Sequence, residues 1–252
     1  MPRIARKKSK SGIYHIMVRG INRQRIFAEE KDNTKFIEIL RKYKKICEYD
    51  LYAYCLMGNH AHLLVKENKE PIGIFMRKIC SSYALWYNKK HNRVGHLFQG
   101  RFKSEPVEDD TYFLVVLRYI LQNPVKANLV TKIRDYKWSN FKDYINGNNN
   151  MCVDFVLSLF HQDKEKATTD FIEFVNIVND DKCLGLNEIR RIMDPDAIEI
   201  INNHCKIEHP HEIQKFEADI RNACLKDLKK LGLSIRQIER LTGIGRGIIQ
   251  KI

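Results

Sequence analysis

The sequence predicts an α+β protein: a ferredoxin-like antiparallel sheet with helices, followed by an all-α C-terminal region that contains a helix-turn-helix. Three observations lead there. Residues 13–123 alternate strand and helix signals in the order β-α-β-β-α-β-α, which is the split βαβ arrangement. A tight-turn pair, Gly58-Asn59, joins the second and third strand signals into a hairpin. Beyond residue 150 the apolar residues recur only at helical spacing.

The elements follow in order. Residues 13–20 (IYHIMVRG) are β-rich and read as the first strand. Asp32 is placed to cap a helix running to about Glu48, with Phe36, Ile39, Leu40, Tyr43 and Ile46 on one side. Residues 51–57 and 60–65 (HAHLLV) are the hairpin strands. Residues 72–91 read as a long helix with Ile72, Phe75, Met76, Ile79, Tyr83 and Trp86 inward. Residues 101–107 make a weaker fourth strand, and Pro106 marks it as an edge or an end. A helix over 109–123 should stop at Pro124. Further helices are expected over 153–160, 164–178, 187–193, 196–204, 212–231, 235–241 and 245–252.

Charge divides the chain. Of 252 residues, 44 are Lys or Arg and 31 Asp or Glu, a formal +13. Residues 1–150 carry +15, residues 151–210 carry −6, and residues 211–252 carry +4. A strongly basic first half fits a polyanionic partner, most simply nucleic acid, although a lysine-rich solvated surface would give the same count. The polar run 146–150 (NGNNN) sits where the sign changes and reads as a joint. The domains expected are thus 1–145, a connector over 146–210 and a helical segment over 211–252. No run of eighteen apolar residues is present, which argues against a membrane span. The basic N-terminus lacks the apolar stretch of a secretory signal. Seven cysteines with no CxxC spacing read as reduced thiols of a cytoplasmic protein.

Chemistry concentrates in two places. His60 and His62, at i and i+2 of a strand, point to the same sheet face and supply two imidazoles of a divalent-metal site. Two solvent-facing histidines would have the same spacing. Tyr119 and Asn123, at i and i+4 of a helix, share a helix face. A phenol oxygen can attack phosphorus when a metal lowers its pKa and polarises the phosphate, and an amide oxygen can ligate Mg²⁺ or Mn²⁺. The plainer reading packs Tyr119 in the core and leaves Asn123 to cap the helix. His204, Cys205, His209 and His211 cluster in sequence, but their spacing fits no zinc pattern.

Residues 58–65 (GNHAHLLV) resemble the HUH motif of single-tyrosine HUH transposases, with Ala61 in the slot usually taken by a bulky residue. Residues 119–125 (YILQNPV) resemble the nucleophile helix of the REP-associated tyrosine transposase branch, which reads close to YIHxNPV. Residues 95–103 (GHLFQGRFK) and Trp138-Ser139 are similar to further recurrent segments of that branch, and the likeness spans about residues 11–145. The resemblance implies a metal-dependent single-stranded DNA endonuclease and strand transferase, with a 5′-phosphotyrosine intermediate and a freed 3′-hydroxyl. His60 and His62 would be metal ligands and Tyr119 the nucleophile. Asn123 would match the polar residue that helps bind Mg²⁺ or Mn²⁺. Leu121-Gln122 stand where the branch usually has a histidine before Asn-Pro. Gln122 turns away from Tyr119 by helical geometry, so Asn123 is the preferred third ligand.

Arg19, Arg23, Arg25, Arg101 and Lys103, with Phe98 among them, suit a single strand through phosphate pairing and base stacking. The expected partner is single-stranded DNA with a hairpin or palindromic repeat. Residues 234–244 resemble the first helix and turn of a helix-turn-helix. Arg246 then starts a short recognition helix able to meet duplex DNA, with a plain helical hairpin as the simpler reading. This region is also loosely similar to the C-terminal helical domain of DnaA-like replication initiators. The competing function is a non-catalytic DNA-binding regulator that uses the basic face and this C-terminal segment. A water-using phosphoesterase with a structural Tyr119 is a third. Homodimer formation is compatible with the resemblance, and the location expected is cytoplasmic, with the nucleoid.

Overall fold

The computed structural model describes residues 6–146, 152–181, 183–184 and 194–251. Of the joint expected over 146–150 all but Asn146, and the helix expected over 187–193, lie outside them. The chain forms two compact units, Met1–Gly185 and Leu186–Ile252. Among the described residues, no helix is long and apolar enough to cross a membrane.

The first unit is mixed α/β. Strands β1 (Ile13–Arg19), β2 (Asp50–Met57), β3 (His60–Lys66) and β4 (Lys103–Val107) form one antiparallel sheet in the order β2-β3-β1-β4. Helices α1 (Glu30–Cys47) and α2 (Ile72–Lys90) pack on one another, and α3 (Asp110–Lys126) packs on β2 and β3. β3 is buried along all but its last residue. That is the signature of a strand covered on both faces, and it explains the near-continuous apolar run broken only by two histidines.

Local chemistry sets the element ends. Asp32 is the third residue of α1 rather than its cap. Glu29 is the cap, and the Asp32 carboxylate accepts from the backbone N–H groups of Ala28 and Glu29 at 2.9 Å, closing a capping box. Buried Asp32 also pairs with Lys90 at 2.6 Å and His91 at 3.0 Å, which ties the start of α1 to the end of α2. Ile46, expected inward, is exposed. α3 runs through Pro124 to Lys126. Near a helix end the missing N–H of proline costs one bond, and backbone N–H groups of Asn128 and Leu129 close the end on Val125 and Pro124.

β2 is an edge strand, and the segment after α3 seals it. The Trp138 carbonyl accepts from the Leu56 N–H at 2.9 Å, and Tyr136 donates to the Leu56 carbonyl at 2.6 Å. Asn140 accepts from the Tyr54 N–H through Oδ1 and donates to the Tyr52 carbonyl through Nδ2, both at 2.8 Å. A side-chain amide thereby serves as a strand partner and blunts the edge. Helices α4 (Phe141–Asn146), α5 (Val153–Ser158) and α6 (Lys164–Asn176) continue the same core, with Tyr144 stacked on Phe171 at 4.5 Å. Residues 153–176, expected in a connector, therefore belong to the first unit. Their burial of Val156, Ala167, Phe171 and Val175 outweighs the acidic surface that set them apart in the sequence.

Among the described residues the second unit is helical, with α7 (Asp194–Cys205), α8 (Ala218–Lys230), α9 (Ile235–Thr242) and α10 (Arg246–Lys251) around Ile201, Ile213, Leu225, Leu228, Ile238 and Ile249. The single helix expected over 212–231 is instead a 3₁₀ turn, Pro210–Lys215, followed by α8. Pro210 sits at the start of that turn, where its missing N–H costs nothing, and Glu212 closes a capping box with His209. Ser234 caps α9 by accepting from the Gln237 N–H. Gly243 ends α9 at φ +74°, and an added Cβ would lie 2.3 Å from the Gln214 amide nitrogen, which donates to the Thr242 carbonyl.

Candidate active site

Strand pairing builds the site. Met17 lies opposite His62 and Arg19 opposite His60 across β1–β3, while His15 lies opposite Glu105 across β1–β4. Period-two alternation then puts His15, Met17, Arg19, His60, His62, Lys103 and Glu105 on one face. The other face carries Tyr14, Ile16, Val18, Ala61, Leu63 and Val65. α3 lies on the histidine face: the Tyr119 ring is 5.7 Å from the His62 ring and 5.8 Å from the His15 ring, edge-on to both. His60 and His62 are themselves edge-on at 5.1 Å.

The imidazoles are buried and held neutral. His15 Nε2 and His62 Nδ1 share a 2.9 Å hydrogen bond, and His60 Nδ1 meets Asn59 Oδ1 at 2.6 Å. Burial lowers the pKa of His15 to about 3. Burial and then the nearby Arg19 guanidinium lower that of His60 to about 4. Burial, with His15 and His60 beside it, holds His62 well below the ordinary value. Neutral imidazoles keep lone pairs available for a metal. His62 Nε2 is fully buried with no hydrogen-bond partner. A buried ring nitrogen without a partner on the face shared with Tyr119 fits a metal-ligand atom.

Tyr119 is half-buried. Burial, then Cys183, raises its pKa; the Asn123 side chain opposes this and Glu105 adds to it. Asn123 sits one turn on, and its Nδ2 donates to the Tyr119 carbonyl at 2.9 Å. Gln122 lies on another side of α3. Its amide donates to the Val175 and Ile177 carbonyls and accepts from Asn179, which fastens α3 to the end of α6. Among the described residues, no group of three or more His, Cys, Asp and Glu side chains could hold a metal ion.

Of the expected DNA contacts, Arg101 and Lys103 are exposed and line a cavity of about 810 Å³ with Arg6, Phe98 and Phe102. Arg6 stacks 3.7 Å from the Phe102 ring, and its pKa is lowered by burial and by the like charge of Arg101. Arg19 lines a neighbouring cavity of about 370 Å³ with Arg77. Arg23 and Arg25 are exposed beside the β2–β3 turn, where Asn59 donates to the Arg23 carbonyl at 3.3 Å. Arg246, in the second unit, pairs with Glu239 at 3.2 Å. Sequence reasoning missed His15, Glu105 and Cys183. The signal for His15 was present, since antiparallel pairing of residues 13–19 with the hairpin puts a histidine beside one of the other two.

Known proteins resemble this arrangement. The family described as IS200-like transposase matches residues 8–123. A Haemophilus influenzae protein, whose name assigns it provisionally to the REP-associated tyrosine transposases, is 27% identical over 157 residues, covering 56% of this chain and 86% of that protein. The solved structure of a REP-associated tyrosine transposase bound to a REP hairpin superposes with a TM-score of 0.50 at 18% identity, over 58% of this chain and 86% of that one. The likeness to that structure is one of fold.

Proposed function

We propose, from the match of residues 8–123 to the IS200-like transposase family and the likeness to a relative named for the REP-associated tyrosine transposases, that this chain is an enzyme of transposase type that cuts and rejoins single-stranded DNA by tyrosine transesterification. The observation that carries this reading is the pair His60 and His62 on one sheet face with the Tyr119 ring 5.7 Å from His62. Tyr119 Oη attacks a phosphodiester phosphorus in line. The new O–P bond forms a 5′-phosphotyrosine, the bond to the 3′-oxygen breaks, and that oxygen leaves as a 3′-hydroxyl after taking a proton. The reverse attack by a 3′-hydroxyl rejoins a strand without a nucleotide cofactor.

His60 Nε2, His62 Nε2 and the Asn123 amide oxygen would hold Mg²⁺ or Mn²⁺. When bound, the cation supplies charge neutralisation at the phosphate and favours the phenolate. Asn123 adds a second service, because its side chain already counters the rise in the Tyr119 pKa. The strand order β2-β3-β1-β4 supports a ferredoxin-like assignment of the sheet. Arg19, Arg23, Arg25, Arg101 and Lys103 would track the phosphates of a hairpin-flanked single strand, with Phe98 stacking on a base. The pair α9 and α10, turned at Gly243, would act as a duplex-binding helix-turn-helix, with Arg246 exchanging Glu239 for a phosphate. Homodimer formation and residence with the nucleoid belong to the same reading.

The test mixes the full chain with labelled hairpin oligonucleotides from DNA flanking its gene, plus Mg²⁺ or Mn²⁺. The expected product is an SDS-resistant protein–DNA adduct that is lost in Tyr119→Phe, in His60→Ala and on chelation. Cleavage that persists in Tyr119→Phe without an adduct would replace this mechanism with a water-using nuclease. Binding to the hairpin without cleavage would favour a regulator.

A further inference from the structure

The hydrogen bond between His15 Nε2 and His62 Nδ1 can run in two directions, and the surroundings distinguish them. If His15 donates, the proton of His62 sits on Nε2. That atom is buried and has no acceptor, so a buried N–H would go unsatisfied. The lone pair of His15 Nδ1 would then face the Glu105 carboxylate, at 4.0 Å, with no donor between. If His62 donates from Nδ1 instead, its Nε2 carries only a lone pair, and the proton of His15 lies on Nδ1 facing Glu105. Each arrangement leaves one buried ring N–H without a hydrogen-bond partner, His62 Nε2–H in the first and His15 Nδ1–H in the second, but only the second puts that proton, rather than a lone pair, toward a carboxylate, 4.0 Å away.

We infer that His15 is a positioning residue for His62: it accepts the Nδ1 proton, locks the tautomer, and leaves the Nε2 lone pair for the divalent cation. This rests on the metal-site reading given above. The chain Glu105–His15–His62 has the logic of the outer-shell partners that orient ligating histidines, here with an imidazole between carboxylate and ligand. Every link is fixed by the sheet. His15 faces Glu105 in the β1–β4 register, and Met17 faces His62 in the β1–β3 register, which brings His15 diagonally beside His62. His15 is fully buried and its ring is edge-on to Tyr119, so the same side chain also walls the nucleophile. At the far end of this chain the Glu105 side chain is partly exposed and accepts from the Leu184 N–H at 3.0 Å.

Two measurements test this on the full chain. Long-range ¹H–¹⁵N correlation of histidine-labelled protein, without metal, reads tautomers directly, and His62 is expected as the Nδ1–H form. Mn²⁺ titration followed by electron paramagnetic resonance gives the metal affinity. His15→Leu is expected to weaken Mn²⁺ binding about 10–100-fold. His15→Gln, whose amide oxygen can accept from Nδ1–H, is expected to stay within a few-fold of the parent. If His15→Leu fails to fold, the parent tautomer and the His15→Gln affinity still decide. A parent His62 in the Nε2–H form overturns the inference, as does an unchanged affinity in His15→Leu while His60→Ala abolishes binding. Mn²⁺ binding that is absent from the parent, or indifferent to His60→Ala, overturns the metal reading itself and this inference with it.

Discussion

Acid should unfold the first unit through its histidines before its carboxylates titrate. The perturbation is a fall in pH from 7.5 to 5.0. His15 titrates at about 3 and His60 at about 4 in the folded chain, and His62 lies well below its ordinary value. All three stay neutral at pH 5 while folded, whereas an unfolded histidine titrates near 6.5. The unfolded state binds more protons, so their contribution is complete above about pH 6.5 and is lost as pH falls toward the folded values. His15 and His60 then cost roughly 2 kcal/mol each at pH 5, and His62 adds in the same direction, together a large part of the ~5–15 kcal/mol typical of a domain. The limiting slope is about 4 kcal/mol per pH unit for three protons. Asp32 is pushed up by burial, but Lys90, His91 and two backbone N–H groups bring it net below 3.8, so its loss falls in a separate, lower window. Both tryptophans, Trp86 and Trp138, belong to the first unit. Urea unfolding followed by tryptophan fluorescence therefore reads that unit alone. Stability constant to within about 1 kcal/mol between pH 7.5 and 5.0 would refute the burial argument.

Three further outcomes follow from the packing. Asn140→Ala should destabilise the first unit by about 2–3 kcal/mol, because the buried Tyr54 N–H loses its acceptor while the Tyr52 carbonyl still accepts from the Tyr144 hydroxyl. The urea midpoint measures it. Asp32→Ala should cost about 3–5 kcal/mol, since it opens the capping box at the start of α1 and leaves Lys90 without its buried partner. The same fluorescence transition, with lower cooperativity at the α1–α2 junction in hydrogen exchange, would register it. Gly243→Ala should cost about 1–2 kcal/mol for the left-handed backbone, plus displacement of the Gln214 amide. Faster amide exchange in α9 and α10 is the readout, with the first unit unaffected.

How much of this was legible in the sequence depended on how local the signal was. The hairpin at Gly58-Asn59, the strands on either side and the two long helices follow from turn chemistry and periodicity within a dozen residues. That His60 and His62 share a sheet face, and Tyr119 and Asn123 a helix face, was legible for the same reason, as i, i+2 and i, i+4 patterns, while the roles expected of them came from the resemblance. What escaped was set by distant partners. Asp32 reads as a cap because a cap and the third residue of a capping box have the same composition; only Glu29 and Lys90 in place distinguish them. Residues 153–176 read as a connector because their charge is acidic, while their place is set by Phe171 meeting Tyr144 across a segment with no periodic signal. Glu105 is an ordinary charge on a weak strand until register places it opposite His15. Pro124 ends a helix by rule, yet at the last turn the rule costs only one hydrogen bond.

Burial then has opposite consequences for the two kinds of group in the candidate site, and that sets how the proposed chemistry must be switched on. Taking His15, His60 and His62 out of water removes their protons and readies their lone pairs. Taking Tyr119 half out of water keeps its proton on, which makes the phenol a poor nucleophile at neutral pH. The neighbours of Tyr119 do not reverse this. Glu105 and Cys183 raise its pKa further, and the Lys126 ammonium lies 5.8 Å from the ring. On the proposed reading, such a site would be inert toward phosphodiesters until positive charge arrives beside the phenol. On this argument adduct formation should rise with Mn²⁺ concentration along the binding curve of the His60–His62 site, and raising the pH without metal should not substitute for it. An adduct formed at pH 9 in chelator at the metal-saturated rate would show that the protein activates Tyr119 by some group other than a bound cation.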